Sequence, residues 1–225
     1  KGIEIVVARD ISKFIETSIE DVTKELQIAI GLVVFITFFF LLSWRSTLIV
    51  AIAIPVSLIS TFFILYVFNF TINMLTLLAM TIAIGLLVDD AIVVIEAIQR
   101  DIDRGRDRVI AAYEATKRVG LAVLAGTFAT LAVFVPIAFM EGIVGRFFLQ
   151  YGLTIVFSVS VSLLVALSLS PMLASRFLNT AHGSGPILAP IERMHKKIEV
   201  GYGNIIGWAV KFRYLVLVCA IGSVF

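Results

Sequence analysis

Thr81-Ile-Ala-Ile-Gly-Leu-Leu-Val-Asp-Asp-Ala-Ile-Val-Val-Ile95 is a stretch that belongs in lipid except for the two carboxylates at its middle. No other charge occurs between residues 46 and 95. One ionised carboxylate at the centre of a bilayer costs roughly 2.5–3.5 kcal/mol on insertion scales. Two adjacent ones must therefore face a protein interior, pair with a cation or bind protons. A carboxylate pair that exchanges protons inside a membrane points to a device driven by a proton gradient.

Composition agrees with a membrane setting. Sixty per cent of the residues are hydrophobic and 15% are charged, which places the chain outside the soluble globular class. The formal net charge is only +2, and no basic cluster is interleaved with aromatic residues, so nucleic acid is not an expected partner. Cys219 is the lone cysteine, and His182 and His195 are isolated from each other, so no metal site and no cofactor is expected. The chain starts without an initiator Met or a signal-peptide pattern and ends inside an apolar run. A piece of a larger membrane protein is the expectation.

A bilayer core of about 30 Å needs roughly 20 residues of helix. Apolar runs of that size cover residues 26–44, 48–68, 72–98, 119–140 and 147–175, and another starts near Tyr214. The last complete run is overlong and is expected to tilt or to begin outside the hydrocarbon. Arg45, Arg100, Arg104, Arg106, Arg108, Lys117, Arg118 and Arg176 all fall on one side of these runs, which the positive-inside rule makes cytoplasmic. Beyond a linker at His182-Gly-Ser-Gly-Pro186, apolar residues recur with helical spacing at Ile191, Met194, Ile198, Tyr202, Ile205 and Ala209. Glu192, Arg193, Lys196 and Lys197 take other positions, as in a helix lying on a membrane surface.

The expected fold is therefore an all-α membrane protein. It is a transmembrane helix bundle of five complete spans, plus a cytoplasmic amphipathic surface helix and the start of a sixth span. Residues 1–25 form an exoplasmic segment and 26–178 the bundle, 179–213 are the cytoplasmic linker with its surface helix, and 214–225 begin the next span.

Successive residues on a helix stand about 100° apart, so Asp89 and Asp90 cannot point in the same direction but can share one polar region. No Lys or Arg lies inside a complete span. A counter-cation must come from a helix outside this chain, or the pair holds protons. Gly85, four residues before Asp89, and Ala91, beside the pair, are small enough to admit a close neighbour. Glu96 returns to the face of Asp89 about 10 Å further on and is either a way station for protons or an interfacial partner of Arg100 at i+4. Gly120, Ala122, Ala125, Gly126 and Ala129 read as a helix-packing stripe.

Gly85-Leu-Leu-Val-Asp-Asp-Ala-Ile-Val-Val94, preceded by Asn73-Met-Leu-Thr76, resembles the fourth transmembrane helix of the resistance–nodulation–division (RND) superfamily. The likeness is to its hydrophobe/amphiphile multidrug efflux pumps of the AcrB type. Trp44-Arg-Ser-Thr47, Ile54-Pro55-Val56, Phe134-Val-Pro-Ile-Ala-Phe139 and Leu169-Ser-Pro-Met-Leu173 carry it through most of the chain. The resemblance implies a proton relay at Asp89 and Asp90 whose basic and hydroxyl partners belong to the other half of the same polypeptide. It also implies export of hydrophobic or amphiphilic small molecules by proton antiport, and a homotrimer in the bacterial inner membrane with a periplasmic adaptor and an outer-membrane channel. Ala97 departs from the Asn that many members carry after the Glu.

Three other readings compete, one of them a purely structural or receptor bundle, which the buried acidic pair disfavours. A protein-translocation accessory of the same superfamily also uses proton flow. An intramembrane aspartyl protease needs its two aspartates on different helices, facing each other across a peptide bond, and adjacent positions on one helix cannot flank a substrate. The reading adopted is a transporter and not an enzyme.

Overall fold

The computed structural model describes residues 11–179 and 189–213, together with 216 and 222. The expected linker at 182–186, residues 1–10 of the exoplasmic segment and nearly all of the last span lie outside the described residues. All regular structure among the described residues is helical: α1 (Ile11–Leu41), α2 (Trp44–Val67), α3 (Met74–Asp103), α4 (Arg108–Ala138), α5 (Gly142–Leu167), α6 (Leu169–Phe177) and α7 (Ala189–Lys211). Five segments are long and apolar enough to cross a membrane: Glu16–Leu41, Trp44–Val67, Met74–Asp103, Arg108–Ala138 and Gly142–Phe177. A backbone with no water to bond must satisfy itself, and a helix does so residue by residue.

Each span starts or stops where its sequence lets it. Ser43 caps α2 through the Ser46 amide, and Asn73 caps α3 in a reciprocal box with Thr76. The Asp107 carboxylate accepts from the amides of Val109 and Ile110 at the head of α4. Between α3 and α4 the chain reverses within four residues, and Gly105 supplies the left-handed conformation (φ +87°) that the turn needs. The overlong fifth run is interrupted at Ser168, between α5 and α6, and the two together are long and apolar enough to cross a membrane as one segment. Pro171 has no amide to bond the Leu167 carbonyl, and its ring crowds that oxygen, so the regular ladder fails there.

The first unit of the chain, which contains α1 to α6, is organised round α3, which touches every other helix of the unit. Ala79, Met80, Ala83, Ile84, Val94, Ile95 and Ile98 of α3 have no exposed surface. The outward faces are equally apolar: Phe35, Ile59, Phe63, Leu121, Phe128 and Leu164 are all more than half exposed. A bundle wrapped in large exposed aliphatic and aromatic side chains suits hydrocarbon and not water. At the α4–α5 crossing, Gly152 lies so close to Ala138 that a Cβ would stand 2.9 Å from the alanine methyl. A glycine is what permits that approach.

Polar bonds tie α3 into place at three levels. Asn73 donates its amide to Gln150 Oε1 of α5 at 2.7 Å, Ser162 Oγ of α5 donates to the Leu87 carbonyl at 2.7 Å, and Gln99 Nε2 donates to the Asn179 carbonyl at 3.1 Å. At the basic end, the fully buried Asp101 carboxylate meets Arg106 at 3.2 Å and Arg118 at 3.1 Å, with Arg104 at 3.7 Å. Arg106 also holds Glu114 at 2.5 Å, so one acid and its arginines join α3, the turn and α4.

The second unit contains α7, the most strongly amphipathic of the described helices, and Met194, Ile198, Tyr202 and Ile205 are exposed along it.

Asp101→Asn is expected to lower the stability of the full-length protein in detergent by about 2 kcal/mol, the scale of hydrogen bonds to a charged group. Arg104→Gln, removing an exposed guanidinium 3.7 Å away, is expected to change it by less than about 0.5 kcal/mol. Thermal denaturation of both variants checks the order.

Candidate functional site

The aspartates lie at the middle of the 30-residue α3. The helical turn between adjacent residues sends them to different neighbours. Asp90 is half-buried and turns to α4, where its Oδ2 accepts from Thr127 Oγ1 at 3.1 Å. Thr127 is itself 3% exposed, and its single hydroxyl proton has a second acceptor, the Val123 carbonyl at 2.9 Å. Asp89 is exposed and opens into a groove of about 580 Å³ between α1 and α3. Thr37, Ser46, Glu96, Gln99, Arg100 and Asp103 supply the polar side chains of that groove, and Ile36, Phe40 and Ile92 part of its apolar wall. It runs from Asp89 to the basic end.

Among the described residues neither carboxylate forms an ion pair. Arg100 shares the groove with Asp89 but lies eleven positions along α3, about 16 Å of rise. It is bonded to Glu96, in the i+4 pairing foreseen for that residue. Glu96 thus lines the groove with its carboxylate anchored.

Gly85 and Ala91 part company. Ala91 is 1% exposed and packs inward, whereas Gly85 is exposed, and a Cβ built there meets nothing within 4 Å. Among the described residues no helix makes the close approach at Gly85 that the small side chain permits. The small-residue stripe of α4 divides in the same way. Gly120 is half-buried, with Leu167 3.9 Å from where a Cβ would stand, but Ala122, Ala125, Gly126 and Ala129 are exposed, and it is Val123 and Thr127, between them, that pack inward.

Sequence reasoning found the acids and missed Thr127, Ser162 and Asp101. Thr127 carries a faint signal, a hydroxyl inside an uncharged stretch of small residues. Ser162 has none, because serines recur throughout α5 at 158, 160 and 162. Asp101 sits among Arg100, Arg104 and Arg106, where an acid reads as one more solvated charge.

The chemistry follows from the placement. Two oxygen acids stand on the central helix. One is tethered to a hydroxyl that can turn away, and the other opens to a polar groove leading to one end of the bundle. Such a pair can take up and release protons, and nothing in it resembles a nucleophile with a base.

Comparison with known proteins places the same residues in a family. The family model described as the AcrB/AcrD/AcrF family matches residues 1–225. Multidrug resistance protein MdtC of Pectobacterium atrosepticum is 39% identical over 223 residues, covering 99% of this chain and 22% of that protein. MdtC of Photorhabdus laumondii is 40% identical over 228 residues, covering 97% of this chain and 21% of the relative. MdtC of Yersinia enterocolitica is 37% identical over 224 residues. The chain thus spans about a fifth of the length of the curated relatives it matches. It is a multi-pass membrane protein segment, and it belongs to the AcrB/AcrD/AcrF family of the RND multidrug efflux transporters.

Proposed function

We propose that this chain is the relay-bearing part of a transporter that exports hydrophobic or amphiphilic compounds in exchange for protons across the bacterial inner membrane. One observation carries the reading: two adjacent carboxylates stand on the helix at the centre of the bundle, without a cation to neutralise them among the described residues. Asp89 and Asp90 bind and release the protons. The counter-cation that holds the pair when it is ionised comes from the rest of the polypeptide. The basic end faces the cytoplasm, α7 is a membrane-surface helix, and the whole protein works as a trimer with a periplasmic adaptor and an outer-membrane channel, as the family does.

Thr127 gives the relay its switch. When Asp90 is ionised, the threonine hydroxyl donates to it. When Asp90 is protonated, the hydroxyl turns to the Val123 carbonyl, which stands at a similar distance. Asp89 exchanges protons with the cytoplasm through the groove past Glu96. Loss of the negative charge frees the counter-cation, and an unpaired buried cation is as costly as the anion it matched, so the helix that bears it must repack. Two packings selected by proton occupancy are what an alternating transporter needs. Each proton crossing 100 mV supplies about 2.3 kcal/mol.

Asp89→Asn and Asp90→Asn, made singly in the full-length protein, are expected to abolish export while leaving expression and assembly intact. Fluorescent-dye efflux from cells is the measurement, and normal rates in both variants would sink the relay. Glu96→Gln is expected to retain most of the activity, since that carboxylate is already committed to Arg100.

Thr127→Val keeps both acids and removes the hydroxyl. About a tenfold slower efflux with a displaced pH profile is expected, in line with losing a hydrogen bond to a charged acceptor. An unchanged profile would leave Thr127 a packing residue only.

A Cβ at position 85 meets no described atom within 4 Å, so Gly85→Leu is expected to leave the described helices in place. Lost export from a normally assembled Gly85→Leu protein is the expected result and would report a close, moving neighbour from the remaining polypeptide. Full activity would remove the mechanical half of the proposal.

A further inference from the structure

At the basic end of the bundle, away from the aspartates, lies a second cleft of about 310 Å³. Arg45 comes to it from the head of α2, Arg108 from the head of α4 and Arg176 from the end of α6. Trp44, Leu48 and Phe177 complete most of the wall, and no carboxylate lines it. Arginines from three helices thus line one opening, beside an apolar wall at the point where the spans leave the hydrocarbon.

The other arginines of this end are accounted for. Arg100 is paired with Glu96, Arg104 and Arg118 with Asp101, and Arg106 with Asp101 and Glu114. Among the described residues Arg45, Arg108 and Arg176 form no ion pair. Arg45 donates one N–H to the Phe177 carbonyl at 3.4 Å, which leaves its other donors for a ligand. The neighbouring acid, Asp107, is directed at the backbone amides of Val109 and Ile110. The N-termini of α2 and α4 add their own partial positive charge. Three like charges gathered without an acid repel one another until an anion joins them.

We infer that this cleft binds the phosphodiester headgroup of an anionic phospholipid of the surrounding leaflet. The planar guanidinium matches phosphate oxygens in pairs. Basic pockets between transmembrane helices at a membrane surface are the sort of site that takes such headgroups. The apolar wall selects a lipid over free phosphate. The exposed Trp44, Leu48 and Phe177 offer the acyl region a surface that inorganic phosphate cannot use.

The test uses the full-length protein in nanodiscs of phosphatidylcholine doped with phosphatidylglycerol, with the co-purified lipid counted by native mass spectrometry. Arg108→Gln with Arg176→Gln is compared with a charge-matched control at exposed positions outside the cleft, Lys117→Gln with Lys211→Gln. Elution as the native assembly and an unchanged melting temperature exclude misfolding. At about fivefold per arginine, the cleft variant is expected to bind phosphatidylglycerol roughly 25-fold more weakly, with the control near wild type. Equal losses in the two variants would mean general surface charge, and unchanged binding in the cleft variant would mean no site; either overturns the inference. Displacement of the lipid by millimolar inorganic phosphate would assign the cleft to a free anion and overturn it as well.

Discussion

A helix surrounded by other helices in lipid must bond its own backbone and then offer its neighbours a surface they can fit. In this bundle α3 meets both demands over most of its length with alanine, leucine, isoleucine, valine and methionine, and breaks the second at Asp89 and Asp90. The rest of the architecture follows from how that break is accommodated. Asp90 is taken up by α4 through Thr127, and Asp89 is left facing the α1–α3 groove. The inward side of the same turn stays apolar and tight, with Ala91 packed inside and the Leu87 carbonyl held by Ser162. The acids therefore sit on a helix that is rigid behind them and open in front.

The number of spans and the acidic pair were legible in the sequence because each is written in local chemistry. A missing charge over a whole span and a cluster of arginines at one end need no tertiary knowledge. Glu96 was legible in the same way, since its partner is one turn away on the same helix. What could not be read was which neighbour each face would meet. Thr127 and Asp90 are 37 positions apart, and nothing local selects Thr127 over Thr130, whose hydroxyl bonds only its own helix at the Gly126 carbonyl.

The small residues show the same boundary from the other side. Size tells where a close approach is allowed but not whether a neighbour takes it. Gly152 is used, with Ala138 in contact distance, whereas Gly85 and Gly126 stand clear of every described side chain. The overlong fifth run is a further instance. Its length was plain in the composition, but the division at Ser168 depends on one carbonyl that Pro171 cannot serve.

The three polar ties along α3 have a mechanical consequence. Asn73–Gln150 near one end, Ser162–Leu87 in the middle and Gln99–Asn179 at the other join α3 to α5 and to the chain just past α6 at separate heights. Sliding α3 by a helical turn would break all three at once, and the Ser162 bond lies in mid-span, where no water offers itself as a substitute partner. The α3–α5–α6 group is therefore a spar, and the side where Gly85 and Asp89 look outward is the one these ties leave free.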